Sequence, residues 1–152
     1  MSNRKVAFSM LLLLLVQVTV PVIPADATSG RTTPDFNVSV MTFSSGGSID
    51  DAGIIKIAPG DHIVRVVVTN NGEGAGSAVL NIVHQASASS GETPVTSIDL
   101  GTIGAASSSN PVLINWTAFA GDGQTLYARV ASLADTDTSN NERSIGFDVT
   151  MY

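Results

Sequence analysis

Between residues 35 and 149, apolar side chains recur at every second position in one short segment after another, and no stretch of useful length keeps a 3.6-residue helical period. Successive side chains of an extended chain point to opposite faces, so a sheet with one dry face writes this alternation into its sequence. In "DFNVSVMTF", Phe36, Val38 and Val40 share a face against Asn37 and Ser39, and a bulge is expected to shift the phase over Met41, Thr42 and Phe43. "HIVRVVVTNNG" sends Val64, Val66 and Val68 inward and Arg65, Val67 and Thr69 outward. "SAVLNIVHQA" is apolar on both faces, with Ala78, Leu80 and Ile82 against Val79 and Val83, as a central strand would be. "PVLINWTAF" aligns Val112, Ile114, Trp116 and Ala118, which places the single tryptophan in the core between two layers. Leu126, Ala128 and Val130, then Ile145, Phe147 and Val149, complete the inward rows, while Tyr127 and Arg129 face out.

Clusters of Gly, Asn, Asp and Ser separate these segments. Pro59, Gly60 and Asp61 turn the chain after the short strand in "GIIKIAPGD", and Asn70, Asn71 and Gly72 end the next one. "TPVTSIDLGTI" is a weaker strand, open to being split. This spacing predicts an all-β chain: an immunoglobulin-like antiparallel β-sandwich of seven to eight strands, preceded by an N-terminal signal helix. Neither an internal repeat nor a second domain is visible.

The N-terminus sets the expected compartment. Arg4 and Lys5 precede an apolar run over residues 6–23, and Ala25-Asp26-Ala27 has the small-residue pattern of a cleavage site before Thr28. The alternative is a retained anchor, since the run is close to the roughly 18 to 20 residues that cross a bilayer. Pro21 and Pro24 interrupt its end and favour cleavage. The chain divides into a signal peptide at 1–27, a flexible lead at 28–34 and the β-domain at 35–152. With the leader removed, about 125 residues remain, enough for a core without staples. The chain has no cysteine, so packing and backbone pairing alone must hold the fold, and a lipoprotein anchor is excluded. Seven basic residues against thirteen acidic ones give a net charge of −6, and Arg4 and Lys5 belong to the leader. Nucleic acid is a poor partner for such a chain, because phosphate binding needs clustered Lys and Arg.

Several stretches together resemble the CARDB domain, an adhesion-related module of bacterial and archaeal surface proteins: "IAPGDHIVRVVVTNNGEGAGSAVLNIV", "VLINWTAF" and above all "LYARVASLADTDTSNNERSIGFDV". The resemblance covers residues 35–149, in one copy. Its most specific part is the alternating strand, the Asp-rich turn, the Asn140-Asn141 pair and the closing strand. It implies a seven-stranded immunoglobulin-like fold, extracellular placement, a role in adhesion or spacing, and no catalytic activity.

Asp135, Asp137, Ser139 and Asn141 stand at alternating positions, as oxygen ligands do in a calcium loop. The EF-hand pattern fails, since no Gly stands at its centre and no Glu at its end. The competing account is a turn in which Asp and Asn bond the local backbone, and it is preferred. Asp50, Asp51 and Asp122 would add ligands only if the fold brought their loops to the same end. "GEGAGS" (72–77) resembles a phosphate cradle but leads into a strand, so the helix N-terminus that such a loop needs is missing and a hairpin loop is expected. His62 and His84 have no cysteine to share a zinc ion with, and His84 is expected at a sheet surface or rim. No G-x-S-x-G elbow marks a nucleophile. Asn37 and Asn115 head N-x-[ST] sequons on faces opposite the core.

Two functions follow. The first is a secreted or cell-surface, non-catalytic adhesion module that takes a glycan or protein through loops at one end. The second is a structural subunit that self-associates by edge-strand pairing, since 13% charged residues leave little to block an edge, with "DFNVSVMTF" the segment to be donated. No cofactor is expected beyond the calcium alternative, and a membrane enters only through an uncleaved leader.

Overall fold

Among the described residues, the alternating rows become ten strands in two packed sheets. A computed structural model describes residues 32–44, 47–135 and 137–151; the expected signal helix lies outside the described residues. The strands are β1 (Phe36–Phe43), β2 (Ser48–Ile49), β3 (Ile55–Ile57), β4 (Gly60–Asn70), β5 (Gly76–Gln85), β6 (Glu92–Ile103), β7 (Ser107–Ser108), β8 (Val112–Ala118), β9 (Gly121–Ala131) and β10 (Glu142–Val149). A 3-10 turn at Thr138–Asn140 precedes β10. One sheet runs β1-β4-β7, with β8 also on β4, and the other runs β2-β3-β10-β9-β5-β6.

Ten strands replace the expected seven to eight because β2, β3 and β7 are two or three residues long, too short to leave a pattern. The antiparallel expectation also needs correcting at one place: β3 runs parallel to β10, pairing Ile55, Lys56 and Ile57 with Phe147, Asp148 and Val149. β3 and β10 are neighbours in one sheet but far apart in the chain, so no hairpin imposes an antiparallel direction on them. The weak sixth segment is one continuous strand of twelve residues.

Phe36, Val38, Val64, Val66, Val68, Ala78, Leu80, Ile82, Ile114, Trp116, Ala118, Leu126, Ala128, Val130, Phe147 and Val149 form a single buried core. Val40 does not join it. The β1 bulge comes earlier than expected, between Val38 and Val40, so Met41 is buried instead and Val40 turns outward. One extra residue flips the phase of everything after it. Val112 and Ile145 are half-buried and pack against the rim of the core. Packing begins before Asp35: Pro34, assigned to the flexible lead, is buried.

Candidate binding surfaces at the two ends

Strand direction sorts the loops into two groups. β1 starts at a proximal end, together with the end of β4 at Asn70, the start of β5, the end of β9 and the 132–141 loop. It finishes at a distal end, with the start of β4, the end of β5, the β8–β9 turn and the end of β10.

The proximal end is held by amides and carboxylates. Asn70 is fully buried; its Nδ2 donates to the carbonyls of Gly74 (2.8 Å), Ile103 (3.2 Å) and Gly104 (3.0 Å). Its Oδ1 accepts the N–H groups of Asp35 (3.1 Å) and Gly72 (3.0 Å). One side chain thus satisfies backbone groups of three connections that the loops cannot pair themselves. The same region explains "GEGAGS". A Cβ on Gly72 or Gly74 would collide with the backbone of residues 32–35, so these glycines let the incoming chain lie directly on the hairpin loop.

The Asp-Asn stretch belongs to this end. Asp135 Oδ2 accepts the Phe36 N–H (3.1 Å), 99 residues away, and the Asn141 amide (3.0 Å), while Oδ1 accepts the Asp137 N–H (3.0 Å). Asp137 caps the 3-10 turn, accepting from Ser139 N (3.1 Å) and Oγ (2.6 Å). Asn140 Nδ2 donates to Asp35 Oδ1 (2.9 Å). The four calcium candidates therefore share one loop; the Asp135 and Asp137 oxygens accept from N–H and O–H donors, and Asn141 gives its amide N–H to Asp135 while its own buried Oδ1 accepts no bond among the described residues. Asp122 sits at the distal end, and Asp50 and Asp51 lie on the β2–β3 turn at the edge of the wider sheet, where Asp50 accepts the Ala52 and Ile54 N–H groups (2.9 Å each) and pairs with Lys56 (3.3 Å). The Ile54 N–H above all holds the Asp50 carboxyl below its usual range. Among the described residues, no group of three or more His, Cys, Asp or Glu side chains is placed to hold a metal ion. Beside the loop lies an open groove of about 830 Å³ lined by Val79, Val130, Ala131, Leu133, Ala134 and Asn141, among others. Arg129 borders it, bound to both Glu92 and Glu142, and its hydrogen bond to Glu92 keeps that carboxyl below the ordinary glutamate range.

The distal end is closed by rings. Both histidines continue the inward rows: His62 follows the line of Val64, Val66 and Val68, and His84 that of Ala78, Leu80 and Ile82. They converge on Trp116, at ring-centroid distances of 6.4 Å for His62 and 5.3 Å for His84. Phe147 meets the indole edge to face at 5.3 Å, and Phe43 lies 6.2 Å away. His62 Nε2 donates to the Ala58 carbonyl (2.7 Å) and His84 Nε2 to Gln124 Oε1 (2.9 Å). Buried Gln124 in turn donates to the carbonyls of Phe119 (2.8 Å) and Gly121 (2.9 Å), which fixes the β8–β9 turn. Outside this plug, Phe119 in the β8–β9 turn and Met151 after β10 are more than two-thirds exposed at the distal end; Ile49 (70%) and Ile54 (40%) are exposed on the β2–β3 hairpin at the edge of the wider sheet. The His-Trp convergence was not read from the sequence; the signal present was the parity of His62 and His84 with their inward neighbours. Asn115 is exposed, as its sequon requires, whereas Asn37 is half-buried with its side-chain oxygen enclosed.

No protein-family model matches the chain, and no curated protein matches its sequence. Among solved structures, it is similar to the CARDB domain of the PF1109 protein from Pyrococcus furiosus, crystallised in complex with di-metal ions, at 15% identity and a TM-score of 0.58, over 78% of this chain and 90% of that one. The solution structure of the same domain gives 14% identity and 0.59, over 79% and 98%. A β-glucosidase from Listeria innocua in complex with glucose matches at 11% and 0.53, over 78% of this chain but 16% of the enzyme chain. What is shared at these identities is backbone architecture: an all-β, two-sheet sandwich with the CARDB fold.

Proposed function

We propose that this chain is an exported, extracellular adhesion or binding module without catalytic activity, and that its distal end carries the contact. The observation that supports this reading is the exposure of Phe119 and Met151 beside an aromatic plug whose Gln124 holds the β8–β9 turn in place. Apolar side chains gathered at one end of a rigid scaffold are the usual form of a protein or glycan contact. Asp61 and Asp122 stand at the distal ends of β4 and β9 and favour a partner surface that is neutral or basic. Placement outside the cell rests on the leader at 1–27. The test is binding of the purified chain to immobilised cell-wall polysaccharides and matrix proteins, alongside Phe119→Ser/Met151→Ser. A partner held by the parent chain and lost by the double variant supports the reading; a partner held equally by both removes the distal end from it.

The PF1109 domain carries di-metal ions; for this chain we infer that Asp135, Asp137, Ser139 and Asn141 act as a turn lock. Melting with calcium and then with chelator is expected to give the same midpoint within about 1 °C, because a ligand that binds only the folded state raises stability by mass action. A rise of several degrees would restore the calcium set.

The second reading, self-association through a strand edge, is favoured by one observation: β8 carries no charge, no proline and no glycine. The segment first suspected, β1, is paired along its length with β4 in its own sandwich.

A further inference from the structure

An edge strand exposes unpaired backbone N–H and C=O groups, and proteins that stay monomeric blunt such edges with charge, proline, bulges or short length. Three of the four edges here are blunted. β1 is bulged between Val38 and Val40, and Arg143 Nη1 donates to the Ser39 carbonyl (2.9 Å) from beyond its free side. β6 contains Pro94 and Gly101, carries Glu92 and Asp99, and is twice out of register with β5, each time by an extra residue of its own. β2 has two residues. β8 is the exception. Its seven residues, "VLINWTA", pair with β4 from Val112 to Ala118 without a register shift, and among the described residues no strand lies on its other side. Leu113 on its outer face is 63% exposed. Straight, apolar and uncharged over seven residues, it is the composition that recruits another strand.

We propose that β8 pairs antiparallel with β8 of a second copy about a two-fold axis, joining the two narrower sheets into one; this rests on the edge-pairing reading and adds the edge, the partner and the register. The edge itself selects the partner: a second copy presents the same uncharged, unshifted strand, and although two acidic chains repel over most of their surface, β8 is a stretch where they meet without like charges. The pleat selects the register. Ile114, Trp116 and Ala118 face the core, so only pairings that set inward residues opposite inward residues keep both cores dry. Full overlap then centres on Asn115: Asn115 faces its own symmetry mate, Ile114 faces Trp116, Leu113 faces Thr117 and Val112 faces Ala118. The contact closes on itself, so it makes a dimer rather than a filament. One strand pair buries less than the roughly 1,200 Å² of a stable complex, so the expected Kd is on the order of 100 µM, reached where copies crowd on a surface.

Sedimentation of the full chain from 10 µM to 1 mM gives the first measurement, with the weight-average mass expected to rise about 1.6-fold over that range, from mostly monomer toward dimer. Leu113→Lys/Thr117→Lys puts two lysines opposite two lysines and should raise Kd at least about tenfold, while Leu113→Lys/Thr117→Glu should restore it. Both positions are exposed, and unchanged melting midpoints verify that each variant is folded. Because the chain has no cysteine, Asn115→Cys should cross-link to a covalent dimer under mild oxidant. Leu113→Cys, displaced from its mate by four residues along the strand, should not. A monomer at every concentration overturns both this inference and the edge-pairing reading. A dimer that ignores the lysine pairs, or cross-links through residue 113 in place of 115, overturns the β8 register alone.

Discussion

The two ends of this sandwich are closed by opposite chemistry. At the proximal end, Asn70, Asp135, Asn140 and Asp35 hold loop backbones through directed hydrogen bonds, and the side chains are short. At the distal end, Phe43, His62, His84, Trp116 and Phe147 fill the opening with ring volume, and only the histidines and Gln124 add polar ties. Directed bonds fix backbone positions, and each one lost leaves a partner stranded in a dry place. Ring packing tolerates change at the surrounding tips because its energy is spread over many weak contacts. That difference teaches where variation can be accommodated: the proximal end is architecture, and the distal loops are free to carry exposed apolar side chains.

Mutations that remove one closure while sparing the other sharpen the contrast. Asn70→Ala should have the largest effect, about 4 kcal/mol or roughly 15 °C in melting midpoint, because five backbone partners lose their bonds and most are out of reach of water. Chemical denaturation measures it; a cost below that of removing the tryptophan would reverse the ranking of the two ends. Trp116→Ala is expected to cost about 3 kcal/mol, at the low end for a buried aromatic since the indole sits at the mouth of the core. Its fluorescence in the parent chain should be blue-shifted, and a wetted emission would place it outside the plug.

Asp135→Ala should cost about 2 kcal/mol, freeing the Phe36 N–H and the Asn141 amide together. Hydrogen exchange would register the loss locally, with faster exchange at Phe36 and across residues 137–141 while the distal amides keep their rates. The smallest effect belongs to the exposed Arg129–Glu92 pair. The guanidinium lowers the Glu92 carboxyl, so its contribution is complete above the ordinary glutamate value and disappears as pH falls through the lowered one. Glu92→Gln should therefore differ slightly from the parent chain at pH 7 and converge with it at pH 3. A gap that widened in acid would have the wrong sign.

Much of the fold is legible because a two-residue period has one good explanation. The rows Val64-Val66-Val68, Ala78-Leu80-Ile82 and Leu126-Ala128-Val130 lie inward as their spacing requires. The period fails where an insertion shifts it: nothing local distinguishes Val40 from Val38, and only pairing with β4 places the bulge between them. The Asp-Asn turn was legible in part. Asp137 capping Ser139 is a short-range bond of the kind those residues make, but Asp135 reaching Phe36 spans 99 residues and cannot be read from neighbours.

Alternation, an apolar run after Arg4 and Lys5, acidity and absence of cysteine are properties of the chain itself, since each depends on residue identity and nearest neighbours alone. They determined a two-layer β architecture held without covalent links. Tertiary structure decided which segments meet: that both histidines end at one tryptophan, that two glycines pass under the incoming chain, that β3 lies parallel to β10, and that β8 is left as the bare edge. Those outcomes are long-range because sheet order is set by which strands can bury their faces together, a competition among all segments at once.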